Sequence, residues 1–152
     1  MSQKTFPLIQ VVIGFLVLAT AVVAWGLFQK SQLDRSSQEL AIRVTQSIFF
    51  DNDIEPLVRN AHPALIEQYT ADGLRAVLSN ASEILGPLEL IESISGTSNM
   101  SLVPFSATQP TANYVLSTSF DENQTPIYIA MVWEDEAWRF TEYRIDSPLL
   151  YS

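Results

Sequence analysis

Hydrophobic and polar positions divide the chain near residue 30. Lys4 is followed by 25 uncharged residues before the next charge, Lys30. Inside that gap, Phe6 to Phe28 reads FPLIQVVIGFLVLATAVVAWGLF, with only Gln10 and Thr20 markedly polar. A helix over this run spans about 34 Å at ~1.5 Å per residue, enough to cross a hydrocarbon core of about 30 Å. Pro7 suits its first turn, and Trp25 and Phe28 stand where interfacial aromatics sit. The pattern predicts an anchor over residues 1–30 and a separate domain over residues 31–152.

The domain begins in helical rhythm. From Ser31 to Phe50, Leu33, Leu40, Val44 and Ile48 recur at helical spacing, and Glu39 and Arg43 stand at i and i+4. No Gly or Pro follows Gly26 in this stretch, so anchor and helix form either one rod or two pieces bent near Lys30. Asp51-Asn52-Asp53 reads as a turn. Asp53 is placed to cap a helix with Pro56 in its first turn, and His62-Pro63 breaks that segment. A helix is predicted over Ala71 to Leu85, with Leu74, Val77, Leu78, Ala81, Ile84 and Leu85 as its apolar face. Gly86-Pro87 ends it.

Beyond that point the texture is that of strands. Leu88 to Ser95 is a short one, and Asn99 to Phe105 is a weaker candidate. Ala107 to Ala112 reads as a polar loop. Tyr114, Leu116 and Phe120 alternate with Ser117 and Ser119, the mark of a half-buried strand. Asp121 to Pro126 reads as a turn. Ile127 to Trp133 is apolar on both faces, which predicts a central, covered strand. Trp138 and Phe140 then share one parity while Tyr143 and Ile145 share the other. A bulge near Thr141-Glu142 would turn all four inward.

Between those last two strands lie Glu134, Asp135 and Glu136. They form either a carboxylate site or a solvated hairpin tip. Neither His, Cys nor Lys is near them in sequence, and a metal site needs several converging ligands with supporting contacts. The hairpin tip is the expectation.

Charge narrows the partners. Every acid follows the apolar run, so the part after Phe28 holds 17 acids against seven bases, a net charge of −10. That argues against nucleic acid, whose phosphates need clustered Lys and Arg, and against lying flat on anionic lipid. The chain has no cysteine, hence no disulfide. A cleavable signal peptide is the rival to the anchor, with Lys4 as its basic end and Ala19-Thr20-Ala21 as an A-x-A site. Retention is favoured because the apolar run continues through Val22, Val23, Trp25, Leu27 and Phe28. The positive-inside rule sets Lys4 against Lys30, Arg35 and Arg43, which taken alone would put the domain in the cytoplasm.

Helices first and a sheet of about four strands afterwards imply an α+β domain. Two landmarks add to this: SEILGPLELIESI, Ser82 to Ile94, where a helix passes through Leu-Gly-Pro into a strand, and MVWEDEAWRFTEYRI, Met131 to Ile145, where an acidic turn leads to Trp-Arg-Phe. In their order and spacing they resemble the nuclear transport factor 2-like (cystatin-like) superfamily, over roughly Leu33 to Ser147, and in particular its bacterial membrane-anchored members with one amino-terminal helix. The resemblance implies a cone: helices packed on a curved antiparallel sheet, with room for a pocket. It also implies, together with the signal-like start and short head, a domain on the extracytoplasmic or periplasmic side of the inner (cell) membrane. The superfamily includes ketosteroid isomerases and dehydratases as well as non-catalytic modules, and fold alone does not choose between them.

An isomerase-like site would need a pocket carboxylate as base with a tyrosine or acid as oxyanion donor. Asp51, Asp53 and His62, or Tyr69, Tyr114 and Tyr128, are the candidates. None sits in a specific catalytic motif. The chain carries neither a P-loop, a dinucleotide fingerprint nor metal-ligand spacing. The expectation is a non-catalytic, membrane-anchored protein-interaction module, an accessory subunit or assembly factor of a membrane complex. It has no catalytic, cofactor-binding or metal residues and needs no cofactor. Its contacts would be the lipid bilayer through Phe6 to Phe28 and a membrane-embedded protein complex, through the domain surface and the helix, where Gly14, Ala19, Ala21 and Ala24 allow close approach. The alternative is a carrier of small apolar ligands, or an isomerase- or dehydratase-like enzyme. Either would use the cone, lined by Ile129, Met131, Trp133, Trp138 and Phe140. The apolar tail, Pro148 to Ser152, either closes the core or docks elsewhere.

Overall fold

A computed structural model describes residues 6–100, 108–121 and 123–151. It opens with a single helix, α1, Phe6–Phe50. Its 45 residues extend about 67 Å at ~1.5 Å per residue. The choice between one rod and a bend at Lys30 is therefore settled for the rod. Its two halves differ in what surrounds them. In the first, large apolar side chains stand in the open: Phe15, Leu18 and Trp25 are 71%, 63% and 65% exposed. In the second, Ser37, Ala41, Val44, Thr45, Ile48 and Phe49 are buried.

That buried stripe matches the predicted one at Val44 and Ile48 and departs from it at the other two positions. Leu33 and Leu40 are only half-buried. The small side chains Ser37, Ala41 and Thr45 face the sheet instead, because they let the helix backbone come close and their hydroxyls find partners there. Glu39 and Arg43 both lie on the exposed side, and no ion pair joins them.

Three helices follow: α2, Glu55–Arg59; α3, Pro63–Tyr69; α4, Ala71–Leu85. The Asp53 carboxylate accepts the Glu55 amide at 3.1 Å, and Pro56 sits in the first turn of α2. The break at His62-Pro63 holds, with a short helix on either side. Arg75 of α4 ties α2 back through Glu55 at 2.7 Å and also meets Asp72 at 2.8 Å. The hydrogen bond from Arg75 holds the Glu55 carboxyl below its ordinary range. On α4, Leu74, Leu78, Ala81 and Leu85 are buried, but Val77 and Ile84 are exposed. The predicted apolar face is wider than the core uses.

Four antiparallel strands, β1 Leu88–Asn99, β2 Thr111–Phe120, β3 Asn123–Glu134 and β4 Ala137–Ile145, lie in chain order across one sheet. The domain is thus α+β, as expected. β1 is longer than predicted and ends at Asn99. The candidate strand over Asn99 to Phe105 falls mostly outside the described residues. The loop predicted to reach Ala112 and the turn predicted to reach Pro126 both end earlier, because β2 opens at Thr111 and β3 at Asn123. Ala112 is buried in β2, and Pro126 lies inside β3, where its carbonyl accepts the Asp146 amide at 3.0 Å. Gly96 in β1 has φ +127, and a Cβ there would lie 2.0 Å from the Asn113 carbonyl oxygen, so no larger residue fits.

The helices cover one face of the sheet. In β2, Ala112, Tyr114, Leu116, Thr118 and Phe120 are buried, while the alternate residues are not. β3 is internal but covered on one side only. Ile127, Ile129 and Met131 are buried, and Tyr128, Ala130 and Val132 are half-exposed. The expectation of a strand covered on both faces fails here, since the sheet has only one helical layer.

β3 and β4 meet as predicted in a tight hairpin. Glu134 pairs with Ala137, and Asp135 and Glu136 form the turn with φ of 52 and 60. Two successive left-handed residues match the twist of the strands. The pairing slips between Ala130 and Met131, so Thr141 is the extra residue of a bulge. The bulge shifts the parity as anticipated. Trp138, Phe140 and Ile145 are buried, and Tyr143, half-buried as a whole, packs on the same core.

Four polar residues of α1 seat it on the sheet. The Asp34 carboxylate accepts from the Ser98 amide at 2.8 Å, from the Ser98 hydroxyl, and from the Thr97 hydroxyl at 3.4 Å. The Trp138 indole donates to the Ser36 hydroxyl at 3.0 Å. Ser37 and Tyr114 hydroxyls meet at 2.7 Å, and Thr45 and Tyr143 hydroxyls at 2.8 Å. Burial alone would raise the Asp34 carboxyl. The Ser98 and Thr97 donors and the charge of Lys30 more than offset it, so the net shift is downward.

Two outcomes follow. Trp138→Ala removes a ring that is 3% exposed and should cost about 3–5 kcal/mol; an unchanged melting temperature in detergent would contradict the packing. A carboxyl lowered on folding stabilises above its unfolded value and loses that contribution as the pH falls through the folded one. Asp34→Asn should therefore melt below wild type at neutral pH, and the gap should narrow as the pH drops beneath the ordinary aspartate range. A constant gap down to acid would show that the charge on Asp34 contributes nothing.

Candidate functional site

The fold disperses most of the residues named as candidates for an isomerase-like site. Asp51 is exposed in the bend after α1, and Asp53 is spent on the start of α2. Tyr114 and Tyr143 are pinned to Ser37 and Thr45. Burial raises both phenols, with the Asp34 charge adding to the effect on Tyr114, so both stay protonated as interlayer hydrogen-bonding groups. Tyr128 lies on the opposite face of the sheet, with the Arg144 guanidinium 4.3 Å from its ring centre. Tyr69 is exposed at the end of α3. Tyr114 and Tyr128 both border a cleft of about 300 Å³ on the sheet, but neither Asp51, Asp53, His62 nor Tyr69 lines it.

One pairing was invisible in the sequence. His62 and Glu134, 72 positions apart, meet with Nε2 3.1 Å from Oε2. The His62 backbone is fixed by β4, donating its amide to the Phe140 carbonyl at 2.8 Å. Its Nδ1 accepts the Ala64 amide at 3.1 Å and so caps α3. With Nδ1 accepting, Nε2 is the nitrogen that faces the Glu134 carboxylate. One ring nitrogen thus caps α3 and the other meets the β3–β4 hairpin. The acids Asp135 and Glu136 stay exposed in the turn, and among the described residues no three His, Asp or Glu gather in a cluster fit for a metal ion.

Nor does the interior offer a ligand chamber at the predicted positions. Ile129, Met131, Trp138 and Phe140 are buried in the core; Trp133, half-buried, packs edge-on against Trp138 at 5.4 Å. A cavity of about 640 Å³ lies instead at the β4 edge, between the second half of that strand and helices α3 and α4. A turn of 3-10 helix, Pro148–Leu150, closes one end of it. Leu150 packs on the core, while Leu149 and Tyr151 remain exposed. The tail thus contributes one side chain to the core and leaves two outside. No single-sequence signal pointed to this groove except the surplus width of the apolar face of α4.

The contacts of α1 also orient the domain on its rod. Asp34 touches the end of β1, Ser36 the start of β4 and Ser37 the start of β2. The β3–β4 hairpin and the end of β1 therefore lie toward the Phe28 side of the domain. Thr45 meets Tyr143 late in β4, so the groove stands farther along the helix. Comparisons with protein-family models, with curated proteins and with solved structures return no match.

Proposed function

We propose that the protein is a single-pass membrane protein whose α+β domain works by binding another protein, as an accessory subunit or assembly factor of a membrane complex, without catalysing a reaction. The observation that carries this reading is the division of α1. Its first half is long and apolar enough to span a bilayer and is uncovered, whereas its second half is an integral core helix of the domain. Burying the exposed half in hydrocarbon removes a surface that water would penalise. The domain is then held against the bilayer without a flexible linker, which confines its encounters to a thin layer and raises the effective concentration of any membrane partner. The resemblance to membrane-anchored nuclear transport factor 2-like domains supports the same picture. It also supports a cone-shaped domain on the extracytoplasmic side of the inner membrane.

The chain lacks cysteine, so single cysteines can report on topology. In intact cells, Ser79→Cys should react with a membrane-impermeant maleimide, and Ala19→Cys should react only after detergent is added. The chain should stay in the membrane pellet after an alkaline wash and migrate with other chains in mild detergent. A soluble form trimmed after Ala21 would overturn the anchor. A chain that migrates alone in every mild detergent would overturn the interaction role.

A further inference from the structure

β4 is an outer strand of the sheet, and such a strand presents backbone N–H and C=O groups that lack sheet partners. The chain itself covers half of that edge. Phe140 donates its amide to the Asn60 carbonyl at 2.7 Å and accepts the His62 amide at 2.8 Å. Residues 60–62 thus lie on β4 as a short parallel strand, with Ala61 opposite Phe140. Among the described residues, nothing extends this pairing past the Thr141 bulge. Residues 141–145 face the groove of about 640 Å³ instead.

Beside Gln68 and Asn80, the wall of that groove opposite the strand carries apolar side chains that the core does not use. Val77 is 53% exposed, Tyr69 44% and Tyr151 74%, and all three line it. Single exposed apolar residues are ordinary, but several around one cleft mark a contact surface. Glu142 and Arg144 pair with each other at 3.4 Å, and the Arg144 guanidinium lies over Tyr128 on the other face of the sheet, so neither offers the groove an unpaired charge. A strand edge on one side and an apolar helical wall on the other suit an extended peptide, whose backbone matches the edge while its side chains take the wall.

We propose that this groove binds an extended, mainly apolar segment of a partner protein, added beside residues 141–145. The inference rests on the interaction-module reading and specifies it. Thr45, which marks this level of the sheet through Tyr143, is 17 residues beyond Phe28, so the groove stands about 25 Å along the helix from the end of the apolar run. The segment therefore comes from an extramembrane tail or loop of the partner, not from its membrane helices.

The full-length protein in detergent micelles is panned against a library of random dodecapeptides displayed on phage, and the enriched peptide is synthesised with a fluorophore. Binding should slow amide exchange at residues 141–145. Val77→Glu should weaken it at least tenfold, while Ile84→Glu, on the same helix outside the groove, should leave it unchanged. Both sites are exposed, and matching melting temperatures show that both variants fold. Absence of an enriched peptide, protection elsewhere, or equal binding to Val77→Glu would each overturn the proposal. A native complex that survives Val77→Glu would overturn the groove and leave the interaction role standing. Peptide binding by a chain that is alone in its membrane would do the reverse.

Discussion

Everything in this molecule depends on how closely α1 lies against the sheet. The contact is built from side chains too small or too polar to be obvious core residues: Ser37, Ala41 and Thr45, all fully buried. Larger residues there would hold the helix away, and the two phenols beneath it would lose their partners. An unpaired buried hydroxyl costs about 1–3 kcal/mol, so the bonds from Ser37 to Tyr114 and from Thr45 to Tyr143 select one helix height and one rotation. Asp34 fixes the third coordinate, since only one position along the axis brings its carboxylate to Ser98.

A helix so fixed transmits its orientation. The exposed apolar half continues the same backbone with no Gly or Pro after Gly26, so whatever holds that half also sets the direction of the sheet. In the proposed membrane setting the hairpin of Asp135 and Glu136 looks toward the bilayer and the β4 groove looks away from it. An acidic tip beside an anionic surface is repelled, which favours an upright domain over one that folds down. The single rod and the acid-rich turn then act in the same direction.

Much of the fold was legible because it rests on local periodicity. The limits of α4 followed from its apolar spacing and the Gly86-Pro87 stop. The Thr141 bulge followed from a change of parity between Phe140 and Tyr143. What was not legible depends on distant partners. Leu33 and Leu40 read as the core face of α1, since hydrophobicity is the only local guide to burial; the helix is rotated away from them because Tyr114 and Tyr143, some 77 and 98 residues from their partners, need hydroxyls. The pairing of His62 with Glu134 left no trace for the same reason. The full length of β1 and the place of Pro126 inside β3 were missed because turn-forming residues say little once strand pairing overrides them.

Three of the six residues that first read as candidates for chemistry share one physical role. Tyr114, Asp53 and His62 each combine a polar group with a position where the backbone or a second layer must be satisfied. Asp53 and His62 supply acceptors to the starts of α2 and α3, whose amides have no helical partner. Tyr114 brings a large ring into the core and needs its hydroxyl answered. A small two-layer domain with a polar helix face has to place such groups at its seams, because each seam joins backbone ends or phenols that water no longer reaches. Ionisable and aromatic residues in a short chain therefore mark the joints of the fold before they mark a reaction. Beyond those joints, the edge of β4 past Thr141 carries backbone groups that no described residue pairs, as the outer edge of β1 does on the other side of the sheet.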